Sequence, residues 1–310
     1  MRKELIQFLL SSIIILTLVI IIDFTIGITM KSMLPNISNK EDIGKTYFSL
    51  NDVETPIVVV GSSRASHHYV TNLIEDKFNK NVYNVARDGC FFSYNCCVVN
   101  ALLDRYNPEF IIWENDINSL YENCNDPLEN LYPYYEQNSY ITSILNQQPI
   151  SDIIKLNFNL YRYNSIIHKI VMINIFKEKF KDNTIKGYSP LTPKENLFMK
   201  QLESLVDRND YKLSRYKITL FKNTLDKAKK QGVKIVVVDS PKYILLDSNS
   251  PSADTMEKIC NKYDVKFINN TQLSLFLEHP EYFNDKTHLN DIGANIYTNI
   301  FIDQIIVNNE

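Results

Sequence analysis

Glycine is scarce in this sequence, with 7 residues among 310. Backbone that needs positive φ or a close approach prefers glycine, so each one beside a motif is informative. A basic surplus is also missing. Lys and Arg total 33 against 36 Asp and Glu, a formal net charge of −3. That balance argues against a nucleic-acid partner, whose usual footprint is a basic patch or stripe. No C-x-x-C pair occurs among the 5 cysteines, so a zinc site of that spacing is not supported. Their odd number excludes full intramolecular pairing, and Cys90, Cys96, Cys97, Cys124 and Cys260 read as free, buried thiols. His67, His68 and the acids near them lack metal-ligand spacing, and no cofactor is expected. Disorder is excluded by ordinary globular composition, 45% hydrophobic and 22% charged. The length suits one large domain or two small ones.

One long apolar run is present. Leu5 to Ile22 holds only Gln7, Ser11, Ser12 and Thr17 as polar members, and Asp23 ends it. A bilayer-spanning helix needs about 20 such residues. Arg2 and Lys3 precede the run, so the short N-terminus is expected to stay cytoplasmic and the remainder to lie on the far side. A cleaved signal peptide is the alternative. The run exceeds the usual h-region, and no A-x-A-like site follows. The expected organisation is a single-pass anchor over 1–30, a polar tether over 31–55 and a domain over 56–310 that is periplasmic or on the cell surface.

The domain alternates strand and helix patterns. β-branched runs at 56–60, 81–85, 110–113, 233–238 and 265–268 read as buried strands. Helical patterns fall near 66–79, 91–106, 209–230, 252–263 and 290–306. Such alternation predicts an α/β fold, a flavodoxin-like three-layer sandwich with a mostly parallel five-stranded sheet. Residues 117–208 break the pattern. They are too long for a structureless loop and read as a largely helical insertion, either a cap over the site or a layer without a binding role.

Active sites in such sheets lie beyond the carboxyl ends of the strands. There, Gly61-Ser62-Ser63-Arg64 follows the first strand. A Ser at a strand-to-helix turn exposes its hydroxyl and faces the first helical N–H groups. Ser also caps helices, which is the plainer reading of the tetrapeptide alone. Near the C-terminus, Asp285-Lys286-Thr287-His288 precedes the last helix. His is the usual general base, and an acid 3 residues earlier can fix its tautomer. A Ser nucleophile needs such a base within hydrogen-bond reach. Two further loops, Asn84 to Gly89 and Glu114-Asn115-Asp116, offer oxyanion donors: the Gly89 N–H and the Asn115 amide, beside the N–H of Ser63. Arg64 is a candidate for binding a carboxylate or phosphate, with a structural ion pair as the alternative. His67 lies 4 residues beyond Ser63, on the same helix face.

The order of four blocks, GSSR, NVARDG, WEND and DKTHLN, resembles the SGNH family, also called GDSL-type esterases and acyltransferases. The likeness spans roughly 56–303, apart from the insertion. It implies Ser63 as nucleophile, chosen over the adjoining Ser62 by block position. It also implies His288 as base, Asp285 as its partner, and Gly89 and Asn115 as oxyanion donors. With the anchor, the chain is similar to envelope members that move or remove acyl groups on cell-surface polymers, including the D-alanine-transfer type of teichoic acid synthesis. Two positions depart from the pattern. Ser62 stands where the family usually has Asp. Trp113 stands where it usually has Gly, which is expected to narrow the pocket or displace Asn115.

These readings lead to a membrane-anchored serine esterase or O-acyltransferase acting on acyl esters, acetyl above all, of an extracytoplasmic envelope polysaccharide. The expected partners are that acylated carbohydrate polymer, the membrane, and an envelope-biosynthesis membrane protein. The alternative is a non-catalytic anchored scaffold or binding protein of an envelope assembly pathway, since fold does not imply function.

Overall fold

A computed structural model of the chain describes residues 2–180, 182–193, 204–205, 211–246 and 250–306. Residue 1 of the expected anchor, parts of the expected insertion (181, 194–203 and 206–208), residues 209–210 of the helix expected over 209–230 and residues 247–249 and 307–310 of the expected domain lie outside the described residues. The chain divides into two compact units, Phe48–Leu128 with Asp182–Glu310, and Met1–Tyr47 with Glu129–Lys181.

The first unit is built on five parallel strands. They are β1 (Ile57–Val60), β2 (Val82–Asn84), β3 (Phe110–Glu114), β5 (Lys234–Asp239) and β7 (Lys266–Asn269), in the order β2-β1-β3-β5-β7. Two-residue strands β4 (Ser204–Leu205) and β6 (Leu245–Leu246) pair separately. Val58, Val59 and Val60 are fully or almost fully buried. Continuous β-branched runs suit strands covered on both faces. Ile57, Val59, Ile112, Val236 and Val238 share one core with Tyr69 and with Ala65, Ile74, Tyr297 and Phe301 of the helices Ser63–His68, Thr71–Phe78 and Asp291–Ile306. Trp113 instead packs against Phe92 and Phe221, of the helices Phe92–Arg105 and Arg215–Gln231. Strand side chains alternate between faces, so one sheet carries two helical contacts.

Local chemistry sets the helix ends. Ser214 caps Arg215–Gln231 by accepting from the Lys217 N–H at 3.3 Å, and Gly232 ends it at φ 72°. The single helix expected at 66–79 is two helices separated by extended Tyr69 and Val70. Thr298 makes that break. Its hydroxyl accepts from the Val70 N–H at 3.0 Å and donates to the His68 carbonyl at 3.1 Å.

Residues 117–128, placed in the insertion by sequence, belong to the sheet unit. Leu120 N–H reaches Ser252 Oγ at 3.2 Å, and Ser214 N–H reaches the Leu120 carbonyl at 2.8 Å. Residues 182–193 belong to it as well. Asn84 N–H donates to Lys186 O at 2.9 Å, and Ser189 N–H to Ser66 O at 2.9 Å.

The second unit opens on a helix, Arg2–Met33, long and apolar enough to cross a membrane. The stretch expected as a polar tether over 31–55 is ordered instead. A 3-10 turn, Leu34–Ile37, is followed by a helix, Glu41–Asn51, whose residues from Phe48 onward are counted in the sheet unit. Ile43, Thr46, Leu50 and Val53 are buried, a helical spacing diluted in the sequence by its polar neighbours. Residues 129–181 carry short helices at Ser139–Leu145, Ile150–Lys155, Asn159–Tyr163 and Ile167–Ile175, so that part of the insertion is helical.

Candidate functional site

β1 and β3 are neighbours, and the residues that follow each stand at the carboxyl edge where the strand order reverses. Such a reversal opens a crevice in parallel sheets. Gly61 lets the two strand ends meet. A Cβ there would lie 2.5 Å from the Ala65 Cβ and 2.9 Å from the Glu114 Cβ. The helix then starts at Ser63, with Ser62 as its N-cap residue making no side-chain cap. The capping alternative for Ser63 therefore does not describe this turn.

Ser63 Oγ lies 2.7 Å from His288 Nε2. His288 Nδ1 lies 2.8 Å from Asp285 Oδ2 and 3.0 Å from Oδ1. A carboxylate only accepts, so Nδ1 carries the proton and the bare Nε2 accepts from the Ser63 hydroxyl. A tight loop presents both groups. Phe283 and Leu289 form an antiparallel bridge, and Asn284 N–H donates to the His288 carbonyl at 2.8 Å. Asp285 Oδ1 also accepts the N–H of Thr287 at 2.9 Å and of His288 at 3.0 Å. Burial pushes the Asp285 carboxyl up, but the His288 imidazole and the Thr287 N–H outweigh it and hold the group well below its ordinary range.

The turn that carries Gly89 is fastened beside Ser63. Arg87 N–H donates to the Gly61 carbonyl at 3.2 Å, and His67 Nε2 meets Asp88 Oδ2 at 3.3 Å. Gly89 sits at φ 69°, a left-handed conformation that glycine adopts freely. His67 does look toward the site, with its ring centroid 5.7 Å from that of His288, and it is packed, with Nδ1 2.6 Å from the Ser189 carbonyl.

Three expectations are corrected. Asn115 does not present its amide beside Ser63. Its Nδ2 lies 3.8 Å from Met256 Sδ, and its N–H extends the sheet to the Val238 carbonyl at 2.7 Å. Strand alternation is the cause, because Glu114 takes the Ser63 side and Asn115 the other. Trp113 is not the agent that displaces Asn115 or narrows a pocket, since it is fully buried between Phe92 and Phe221. Arg64 is not available to a substrate. Its guanidinium is buried and paired with Asp239, with Glu114 at 3.1 Å and with Asp116 at 3.4 Å. Burial works against the charge, yet these carboxylates raise its pKa above the ordinary value.

Sequence reasoning missed the buried network beneath Ser63. His68 Nε2 accepts the Leu289 N–H at 2.9 Å, which leaves Nδ1 to donate to Ser240 Oγ at 2.7 Å. Ser240 Oγ donates on to Glu114 Oε1 at 2.8 Å, and Tyr69 OH donates to Glu114 Oε2. Lys242 joins Asp116 at 2.7 Å and Asp239 at 3.2 Å. The signal was present in Val237-Val238-Asp239-Ser240, where a buried apolar strand ends on a charge. A separate recess of about 830 Å³ lies at the opposite, amino ends of the strands, lined by Ile57, Phe110 and Lys234. It contains none of these residues.

All five cysteines are free, four of them buried and Cys124 partly so. No protein-family model matches the chain, and no curated protein shows significant similarity to it.

Proposed function

We propose that this chain is a membrane-anchored serine esterase or O-acyltransferase of the SGNH type. Its substrates are acyl esters, acetyl above all, of an extracytoplasmic cell-envelope polysaccharide. The strand order supports a flavodoxin-like three-layer sandwich for the sheet unit. The observation that carries the reading is the hydrogen-bonded series Ser63–His288–Asp285, with distances of 2.7 and 2.8 Å.

In this mechanism His288 Nε2 takes the Ser63 proton as Oγ attacks the ester carbonyl. Asp285 stabilises the imidazolium that forms. The N–H of Ser63, at the first helical position and without an intrahelical partner, faces the developing oxyanion. The Gly89 N–H is the second donor. His288 then protonates the leaving alcohol, and water or a sugar hydroxyl takes the acyl group from Ser63. The N-terminal helix anchors the chain once, with Arg2 and Lys3 cytoplasmic and the sheet unit outside. An envelope-biosynthesis membrane protein fits as a partner in acyl delivery.

The second reading, a non-catalytic scaffold, is favoured by one feature, the Asn115 amide turned to Met256. Hydrolysis of p-nitrophenyl acetate and fluorophosphonate labelling by the full chain, beside Ser63→Ala and His288→Ala, separate the two. Loss of both signals in both variants supports the enzyme. Parent chain without labelling, or activity equal in all three, removes Ser63 and His288 from the chemistry.

A further inference from the structure

Asp23, which ends the apolar run of the N-terminal helix, is tied to one short segment. It accepts from the Asn159 N–H at 3.0 Å, the Asn159 Nδ2 at 3.1 Å and the Leu160 N–H at 2.8 Å. One turn further on, Gly27 allows close approach, since a Cβ there would stand 2.4 Å from the Asn159 Cγ. These contacts fix the helix Asn159–Tyr163 at the end of the apolar run. The preceding helix, Ile150–Lys155, buries none of its residues. Ile150, Ile154, Phe158 and Leu160 are 72, 56, 53 and 49% exposed. Ile150 and Ile154 are four apart and share a helix face. Scattered apolar residues on a surface are ordinary, but a cluster this dense marks an interaction surface.

We propose that Ile150, Ile154, Phe158 and Leu160 form a membrane-interface wedge, seated at the headgroup–acyl boundary of the bilayer that the N-terminal helix crosses. The inference rests on the anchor reading above. Continuity decides for lipid as the occupant. A helix that spans about 20 residues of hydrocarbon from its charged start brings Asp23 to the interface, and Asp23 holds Asn159 and Leu160 at the same depth. Interfacial helices bury their apolar side chains about 5–10 Å into that boundary. The same unit supplies a marker of greater height. Asn174 donates to the Met33 carbonyl at 3.2 Å and accepts from Asn36 Nδ2 at 3.0 Å. Met33 lies about 15 Å beyond Asp23 along the helix, at 1.5 Å per residue. Ile175, although exposed, therefore stands clear of the acyl region.

The test uses the full chain in phosphatidylcholine–phosphatidylglycerol vesicles, with and without bromine on the acyl chains. Trp113 is the only tryptophan and is fully buried, so it gives a constant background. Val19→Trp, Ile154→Trp, Phe158→Trp and Ile175→Trp each add a reporter at an exposed position. The expected result is strong loss of the added emission at Val19, clear loss at Ile154 and Phe158, and none at Ile175. Quenching at Val19 without quenching at Ile154 and Phe158 overturns the wedge and leaves the anchor standing. No quenching at Val19 overturns both. Emission at Ile154 and Phe158 that is blue-shifted yet unquenched assigns the surface to a protein partner and overturns the lipid proposal.

Discussion

Leu289 donates its backbone N–H to Nε2 of the buried His68 at 2.9 Å. This bond joins the residue after His288 to the helix that begins at Ser63, across more than two hundred residues of sequence. It also fixes the His68 tautomer, and the remaining ring proton carries the connection to Ser240 and Glu114. The loop bearing His288 is thus positioned from beneath by a neutral imidazole, and the helix bearing Ser63 by a buried Arg64.

Asp285→Asn tests the role of the carboxylate at 2.8 Å. An amide can donate to Nδ1 and so favours the wrong tautomer, with a proton on the nitrogen facing Ser63. The proposed mechanism predicts a loss in kcat of about 10⁴-fold, the loss known for a catalytic triad, with KM little changed. Steady-state kinetics on p-nitrophenyl acetate measure it.

Asn115→Ala tests the correction made above. An oxyanion donor contributes about 10²–10³ in kcat. With its amide against Met256, Asn115 contributes less, and the variant keeps kcat within about tenfold of the parent. A loss in the range of a full donor would return Asn115 to the oxyanion site.

Gly61→Ala inserts a methyl group against Ala65 and Glu114. Overpacking costs about 1–3 kcal/mol, and relief requires the Ser63 turn to move away from β3. The expected outcome is a lower urea midpoint with an unchanged m-value, and slower fluorophosphonate labelling of the folded fraction.

Arg64→Ala leaves Glu114 buried without a cation and Asp239 with Lys242 alone. Removing one partner of a buried ion pair costs about 3–5 kcal/mol. Urea unfolding followed by circular dichroism measures it. A change below about 1 kcal/mol, the scale of an exposed pair, would show that the cluster is hydrated.

His68 makes stability depend on pH. Burial first, and the Arg64 charge second, hold its pKa well below the ordinary value in the folded chain. Unfolding restores it to about 6.5. The unfolded chain then binds the extra proton, so this contribution is complete above about pH 6.5 and declines as pH falls, by at most about 1.4 kcal/mol per pH unit. His68→Gln flattens that decline in urea midpoints measured across the acid range. Equal slopes in parent and variant would rule His68 out as its source.

The sequence by itself determined the five strands, since β-branched runs such as Ile57 to Val60 are legible from composition and length. It also determined the long N-terminal helix, whose apolar run has no polar face. The pair of blocks was legible because Ser63 follows the end of a strand and His288 precedes the last helix, where the chain must turn. Only the tertiary structure decided which side chains meet there. Asn115 and Glu114 are adjacent in sequence, and strand alternation sends them to opposite faces. Arg64 has the composition of an anion-binding residue, and three carboxylates from β3, β5 and the loop after β3 claim it. The break at Tyr69 depends on Thr298, more than two hundred residues away. The helix at Glu41–Asn51 depends on burial that its polar sequence does not announce. Local pattern fixes an element's type, whereas long-range hydrogen bonds and ion pairs fix its ends and the aim of its polar groups.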